Sequence, residues 1–525
     1  MGFKENLRKL RKEAGISQSK LSEKLNVTPQ SVQKWESGES NPDIENLIKL
    51  SVFFNVSADR LLFDSSKRQE EELMGNKSLT PAYSELFVWE LYSEQLDVEY
   101  RQCLEEGLDI EEYKELFLTV SKMPKSKYKA DISDVIFDII LNSKLRKDYK
   151  YSEPNNLNEI KKLRANVSHE AVPYCKENIR EKIEGAWYGR ICGCLLGKPV
   201  EGKRTDWLQP FLKETGNYPM HRYIKAADIT EEISDKYNYS ANNPCFSDIS
   251  TCMPVDDDTN YTVLYQLLIE KFGKNFTPYD VSRYWMDMQP KNAYCTAERV
   301  AFKNFVEGFI PPESASYKNP YREWIGAQIR GDYFGYINPG DPEKAADMAW
   351  RDASISHVKN GIYGEMFAAA MIAKAAVTDD IIEIIEAGIN EIPECSRLYE
   401  AIANVIKEYK DGKAKEDCFK GIHTRWDEFD QHHWCHTISN AEIVAASLLY
   451  GEGNFGKSIC MAVETGFDTD CNGATVGSVL GMRNGINSID KKWIEATHGL
   501  LDTSIFGVGK VSIDSRIELN LKHLI

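Results

Sequence analysis

Over residues 16–50 the apolar positions recur three and four apart, broken at intervals by cap and turn residues, which predicts short helices packed on one another. Ser17 stands where it caps a helix over Gln18–Leu25 that carries Leu21 and Leu25 on one face. Asn26-Val27 makes a turn. Thr28 caps the next helix, with Pro29 at its first position, where a missing N–H costs nothing. Val32 and Trp35 point inward from it, Gly38 ends it, and Asn41-Pro42 opens a further helix whose core face is Ile44, Leu47, Ile48 and Leu50. "DSSKRQEEELMGNKS" (64–78) is polar and charged and predicts a linker. Beyond it, Leu86, Trp89, Tyr92 and Leu96 fall at helical spacing. So do Ile110, Tyr113, Leu116 and Phe117, and then Val135, Ile136, Ile139 and Ile140. These predict amphipathic helices with their aromatic stripes in a core.

From about residue 181 the pattern stays helical but the residues shrink. Gly185, Gly189, Gly193 and Gly197 recur every four residues, one bare stripe on a helix. Glycine costs about 1 kcal/mol per helical position, so four of them imply that another backbone comes close. Gly473, Gly477 and Gly481 repeat the device beside Ala474 and Ser478. Tyr261, Leu264, Tyr265 and Leu268 mark one face of a helix that begins near three consecutive aspartates. The alanines between Ala368 and Ala376 mark a tightly packed central helix, with His357 near its start.

With 525 residues the chain exceeds one ordinary core, so two or three domains are expected. No apolar run approaches the roughly 18–20 residues that span a bilayer, and the N-terminus lacks the apolar core of a signal peptide. Asn6 leaves the Met-Gly start short of a myristoylation signal. Twelve scattered cysteines without a CxxC pair suit reduced thiols. A cytoplasmic protein without membrane partners is expected. The net charge of −17 argues against general nucleic-acid affinity. Yet the first 63 residues carry ten Lys/Arg against eight Asp/Glu, net +2, which leaves −19 for the remainder. A small, locally basic module on an acidic body is the reading.

Two stretches carry the chemistry. Asp256, Asp257 and Asp258 precede one helix, and Asp468 and Asp470 precede another. One acid suffices to cap a helix and offset its dipole; three in a row repel one another unless a cation sits among them. Hard divalent ions take carboxylate oxygens. Bringing Asp257 and Asp258 beside Asp468 and Asp470 makes an oxygen cage that a pair of metal ions would neutralise. Glu201 follows the first glycine stripe in a Pro/Gly loop. His432, His433, Cys435 and His436 also cluster, but no second Cys/His group lies near in sequence to complete a zinc site, and His436 is as plausible beside a substrate.

Two resemblances organise these readings. Ile16-Ser17-Gln18, Leu21-Ser22, Val27, Thr28, Val32, Trp35-Glu36, Gly38 and Pro42 resemble the phage-repressor (Cro-like) helix-turn-helix family. That resemblance implies DNA binding: Thr28 opens the recognition helix, Pro29, Gln30 and Lys34 face base edges and Gln18 meets a phosphate, with a homodimer on a palindromic site. The alternative is a solvated helical bundle used for protein contacts. The stretches from about Ile183 to Gly485 together resemble the ADP-ribosylglycohydrolase family, which includes the glycohydrolase that reactivates dinitrogenase reductase. This implies an all-α body with two Mg²⁺ or Mn²⁺ ions in a cleft and hydrolysis of an ADP-ribosyl bond to a protein, nucleic acid or small molecule. By resemblance, Asp257 and Asp258 ligate a first metal, with Asp256 where the family has a hydroxyl. Asp470 bridges both ions and Asp468 binds the second, where Cys471 replaces a threonine ligand and favours Mn²⁺. Glu201 assists the chemistry with Asp257, Asp258 and Asp468. His357, after Ser356, matches a substrate-side histidine. Gly326, in Trp324-Ile325-Gly326, falls on a Gly-Asn-Gly loop whose asparagine is missing, and Arg330 and Tyr333 are expected to face a diphosphate or adenine.

The fold expected is all-α. A five-helix helix-turn-helix domain covers 1–63, a linker and helical connecting region 64–180, and a glycohydrolase-like body with a binuclear metal cleft 181–525. A regulator whose body senses a nucleotide metabolite, and a nucleoside or nucleotide N-glycosidase, are the rival functions.

Overall fold

The computed structural model describes residues 3–54, 56, 61–62, 81–83 and 85–524, which form two compact units, Met1–Tyr149 and Lys150–Ile525. The expected 64–78 linker lies outside the described residues.

In the first unit, helices run over Phe3–Glu13, Gln18–Leu25, Pro29–Ser37 and Ile44–Phe54. The fifth helix expected there falls among residues 55–63, most of which lie outside those described. The caps are as the sequence implies. Ser17 accepts from the Lys20 N–H, Thr28 accepts from the Ser31 N–H, and Asn26 and Gly38 end their helices in the left-handed conformation. Leu7, Leu21, Leu25, Val32, Trp35, Leu47 and Leu50 share one core. Ile44 does not join it. The helix starts at Ile44, Asp43 caps it by accepting from the Asn46 N–H at 2.8 Å, and Ile44 is left 65% exposed on its outer side. Ile48 turns instead into a second core with Leu96, Ile110, Phe117, Ile136 and Ile140.

That second core differs from expectation twice. Residues 86–96 are not one helix: Val88–Glu90 and Tyr92–Glu94 are single 3-10 turns separated by an extended, buried Leu91, and the helix begins at Leu96. On the Lys127–Asn142 helix Val135 is exposed, and the buried face runs through Ser133, Ile136, Phe137 and Ile140.

The second unit is helical apart from the pair Leu500–Leu501 and Val511–Ser512 among the described residues. Its centre is the Ile179–Gly197 helix laid antiparallel on the Thr469–Asn484 helix. A Cβ on Gly185 would meet the Gly481 carbonyl oxygen at 2.3 Å, one on Gly189 the Gly477 oxygen at 2.1 Å, and one on Gly193 the Gly473 oxygen at 1.9 Å. The backbones touch directly, which explains the bare stripes. The same register sets Gly197 against Thr469 and Asp470, so the end of one helix meets the start of the other. The Asn360–Ala375 helix, buried except at Lys374, packs on the Thr469–Asn484 member of this pair, as does Thr437–Tyr450. Met253 pairs with Leu501 beside the short strands, exchanging bonds with Leu500 and Asp502, which fixes the chain just ahead of the aspartate run.

Candidate active site and recognition helix

The Asp257–Phe272 helix starts beside the junction of the two glycine helices. Asp256 is its N-cap: Oδ1 accepts from the Asp258 N–H at 2.9 Å. Capping thus accounts for one oxygen of the run. Asp468 precedes the Thr469–Asn484 helix without capping it, and its own N–H is held by Asn440 Oδ1 at 3.1 Å. Its carboxylate therefore stays available to the site.

Asp258 meets Asp470, and Asp470 meets Asp468, as expected, but Asp256 rather than Asp257 joins them: Asp257 is in neither donor set among the described residues, and there are companions the sequence did not suggest. Donor atoms of Cys194, Asp256, Asp258 and Asp470 lie within 4.8 Å of one another, and so do those of Asp468, Asp470 and Cys471. Asp470 belongs to both sets. Asp256, Asp258, Asp468 and Asp470 are each at most 5% exposed. The Lys198 Nζ enters the same space, 2.7 Å from Asp256 Oδ2, 2.7 Å from Glu201 Oε2 and 3.4 Å from Asp470 Oδ2. Arg190 Nη2 pairs with Asp258 Oδ1 at 3.0 Å while Nη1 holds Asp332 at 2.9 Å. Cys435 Sγ donates to Asp468 Oδ2 at 3.5 Å. Arg190, Cys194 and Lys198 went unnoticed in the sequence, yet each follows a glycine of the first stripe by one residue. A stripe that faces a partner helix carries its next row of side chains to that partner's edge.

Electrostatics follow from this crowding. Burial and then Asp256 push the Asp257 carboxyl up to about 8. Burial raises Asp258 well above the carboxylate range despite Arg190, and burial with Glu201 does the same to Asp470. Burial also raises Glu201, against the pull of Lys198. Burial alone would lower Lys198, but Asp256, Asp470 and Glu201 hold it well above an ordinary lysine. The site has more negative charge than its own cations balance. Asp470 Oδ1 is buried without a hydrogen-bond partner among the described residues. This donor set fits a hard divalent ion through its carboxylate oxygens. The Cys194 and Cys471 thiols, raised well above their ordinary range by burial, add only weak neutral donors.

Three residues expected at the substrate are turned into the core. Arg330 is fully buried, 2.6 Å from Asp352, 3.1 Å from Glu298 and 3.5 Å from Glu365, and it donates to Ser356 Oγ at 2.9 Å. Its guanidinium is consumed by carboxylates and has no face for a diphosphate. Tyr333 is buried with its hydroxyl 2.6 Å from His523 Nδ1. His357 is buried with Nδ1 on Ser356 Oγ at 2.9 Å, and burial and then the Arg330 charge keep it neutral. Gly326 retains a partly exposed face, and a Cβ there would lie 2.0 Å from Glu298 Oε1. In the histidine cluster, His432 Nδ1 accepts from the Trp324 indole at 2.9 Å. His436 Nδ1 caps the Thr437–Tyr450 helix by accepting from the Ile438 N–H.

In the first unit Thr28, Pro29, Gln30 and Lys34 stand exposed along one side of the Pro29–Ser37 helix. Gln18 departs from its expected role: its side-chain amide donates to Glu36 Oε2 at 2.7 Å, so that group is spent inside the unit. Glu36 is buried and gripped by Arg11 at 2.6 and 2.9 Å. Burial would raise its carboxyl, but the bonds from Arg11 and Gln18 prevail and hold it below the usual range.

Known proteins resemble each unit separately. The sequence model of a family described as ADP-ribosylglycohydrolase matches residues 176–516, and one described as helix-turn-helix matches residues 7–61. The HTH-type transcriptional regulator ImmR of Bacillus subtilis (strain 168) is 36% identical over 88 residues, 16% of this chain and 68% of that protein. The HTH-type transcriptional activator BcrR of Enterococcus faecalis is 33% identical over 87 residues, 17% of this chain and 43% of that protein. A solved structure titled "ADP-ribosylglycohydrolase-related protein complex" aligns at 16% identity with a TM-score of 0.43, over 66% of this chain and 98% of that one. That likeness is too low to bear on function.

Proposed function

The chain belongs to the ADP-ribosylglycohydrolase family and carries an N-terminal helix-turn-helix DNA-binding domain, and from that premise we propose that its body hydrolyses an ADP-ribosyl, or related ribosyl, glycosidic bond with the help of a divalent metal, Mg²⁺ or Mn²⁺. The observation that carries this reading is the convergence of Asp256, Asp258, Asp468 and Asp470 from two helix starts, with Asp470 common to both donor sets. Cys471 belongs to the second donor set, and Asp257, partly exposed and next in the chain to Asp256, is the further carboxylate proposed for the metal. When bound, the metal supplies Lewis-acid charge to ribose hydroxyls and to the attacking water.

The chain's own residues do the rest. Glu201 stands at the rim with its side chain 42% exposed. It takes a proton from the water as the water oxygen bonds to the anomeric carbon. The bond from that carbon to the acceptor nitrogen or oxygen breaks, and the acceptor leaves with the proton that Glu201 took from the water. The carboxylates of Asp257 and Asp468 face the positive charge that builds on the sugar ring. Thr28, Pro29, Gln30 and Lys34 read a DNA site, with glutamine suited to adenine and lysine to guanine. A symmetric homodimer on a palindrome gives such a small reader enough contact.

The test is release of ADP-ribose, followed by chromatography, from arginine-, serine- and nucleic-acid-linked substrates by the full chain with Mg²⁺ or Mn²⁺. Release from at least one, abolished by chelation, is expected. No release from any of them by protein with metal demonstrably bound would overturn hydrolysis. It would favour a sensor whose DNA affinity changes when a nucleotide metabolite binds. The thiols of Cys194 and Cys471 in the donor sets, atypical for a hard-metal hydrolase, are what keeps that second reading in view.

A further inference from the structure

Lys198 sits at the centre of the carboxylates, and the hydrolysis outlined above makes no use of it. It is the first residue of the 3-10 turn Lys198–Val200 that follows the glycine helix. Gly197 abuts the backbone of Thr469 and Asp470, which leaves the next side chain nowhere to go but toward the Asp470 carboxylate. A lysine ammonium is a compact point charge with three donors. Here it meets three carboxylates, Asp256 and Glu201 at 2.7 Å and Asp470 at 3.4 Å.

Apart from Asp470 Oδ1, the oxygens of the first donor set already have partners. Asp256 gives Oδ1 to the Asp258 N–H and Oδ2 to Lys198. Asp258 gives Oδ1 to Arg190 and Oδ2 to the Cys194 thiol at 3.8 Å. Asp470 gives Oδ2 to Lys198. The oxygen left over is Asp470 Oδ1, buried and without a hydrogen-bond partner among the described residues and common to both sets; the second set adds Asp468, whose Oδ2 accepts from the Cys435 thiol at 3.5 Å rather than from a cation. A divalent ion among Asp256, Asp258 and Asp470 would have to displace an ammonium from two of its three carboxylates.

We propose that Lys198 fills one of the two cation positions that the resemblance implies, so that the centre takes a single divalent ion, in the Asp468–Asp470–Cys471 set, with the lysine as a fixed and non-exchangeable partner charge. Lys198 is on this view a positioning residue: it holds Asp256, Asp470 and the rim carboxylate of Glu201 at one point. The inference rests on the divalent-metal reading of the site.

The experiment counts ions in the full chain loaded with Mn²⁺ and freed of excess. It combines elemental analysis with electron paramagnetic resonance, in which an isolated Mn²⁺ gives a six-line signal and a pair about 3.5–4 Å apart gives an exchange-coupled one. The wild type and Lys198→Arg are expected to hold one ion per chain with the six-line signal. Lys198→Met is expected to hold two with the coupled signal, a doubling of stoichiometry that a purely structural role for Lys198 would not produce. If Lys198→Met does not fold, Lys198→Gln takes its place. Two coupled ions in the wild type would overturn the inference and leave the metal reading standing. One ion in both wild type and the charge-removing variant would overturn it as well, since the lysine would not be what bars the second. No ion in the wild type would overturn the metal reading and this inference together.

Discussion

In the helix-turn-helix unit the side chains proposed to meet DNA, Thr28, Pro29, Gln30 and Lys34, stand exposed on a helix that needs only two caps and a handful of buried apolar residues. In the body, Asp256, Asp258, Asp468 and Asp470 are buried at the meeting of two helices whose backbones touch. A surface reader can change its contact residues at little structural risk. A buried carboxylate centre ties chemistry to folding, because the repulsion that prepares it for a cation also works against the fold that contains it. The two units should therefore answer mutation and pH differently.

The largest effect expected is from Gly193→Val. A Cβ already meets the Gly473 carbonyl oxygen at 1.9 Å, and neither side of that contact is a flexible side chain. Overpacking a core costs typically about 1–3 kcal/mol, and a backbone-on-backbone clash belongs at or above that range. The body's thermal transition, followed by circular dichroism of the full chain, should fall by at least about 5 °C, while DNA binding stays within about twofold of wild type. An unchanged transition would mean the glycine stripe is not what joins the helices.

Next comes Asp470→Asn, which touches both donor sets. Hydrolysis should fall by more than the roughly 10–100-fold that outer partners of a metal site contribute. The metal-free body should melt higher, since one of the mutually repelling carboxylates is gone. Opposite signs in activity and stability would mark a site in which function is held against the fold; a lower melting temperature would place Asp470 among the structural residues instead.

What could be read in the sequence divides along the same line. The caps at Ser17 and Thr28, the helix ends at Asn26 and Gly38 and the residues Leu21, Leu25, Val32 and Trp35 are local signals, and the structure agrees with each; the helix placed at Asn41-Pro42 starts instead at Ile44, capped by Asp43. The stripe at Gly185–Gly197 signalled a close backbone partner, and the equal spacing of Gly473, Gly477 and Gly481 hinted at which one. Charges that are satisfied only in three dimensions were not legible. Arg330 reads as a phosphate ligand until Asp352, Glu298 and Glu365 close around it, and those partners are scattered over nearly 70 residues of chain. Gln18 likewise reads as a phosphate contact until the fold brings Glu36 beneath it. Lys198 was missed for a simpler reason: a lysine after a helix reads as solvated unless the row beside a glycine stripe is followed as carefully as the stripe itself. At Leu86–Leu96 the three- and four-residue spacing misled because a tucked, partly extended segment can bury residues at similar intervals, whereas Val135 lies on a regular helix one position off the face that Ser133, Ile136, Phe137 and Ile140 bury.

A smaller effect, confined to the first unit, is expected from Gln30→Ala with Lys34→Ala. Each lost base contact costs about 1–3 kcal/mol, so specific DNA affinity, read by fluorescence anisotropy against the preferred site, should fall at least about tenfold. Because both side chains are exposed, the melting temperature should not move, and hydrolysis, which uses none of these atoms, should keep its rate. A drop in stability would show that the recognition helix is not the independent surface described here.

The last effect needs no change of backbone or site and separates the units by pH, most simply seen in one buried glutamate of each. Glu36 in the first unit is held below the usual carboxylate range, burial being outweighed by the bonds from Arg11 and Gln18. A carboxyl whose folded value is depressed contributes stability at pH above its unfolded value, about 4.5, and that contribution is lost as pH falls through the folded value. Glu442, buried on the Thr437–Tyr450 helix 3.0 Å from Arg425, is pushed by burial up to about 7 despite that arginine. Its sign is reversed. The folded body keeps the proton longer than the unfolded chain does, so its stability is greatest below the unfolded value and declines as pH rises from about 4.5 to about 7. Hydrogen exchange resolved by unit, on the metal-free chain, should therefore show the body losing about 1–3 kcal/mol between pH 5 and pH 8 while the first unit holds steady. Glu442→Gln should make the body's profile shallower without flattening it, because the raised aspartates of the metal-free site contribute the same sign, and Glu36→Gln should remove the first unit's acid sensitivity at a cost in stability near neutral pH. If Glu442→Gln leaves the slope of the body's profile unchanged, Glu442 is not what weakens the body as pH rises, and the contrast between the two units rests on the aspartates alone.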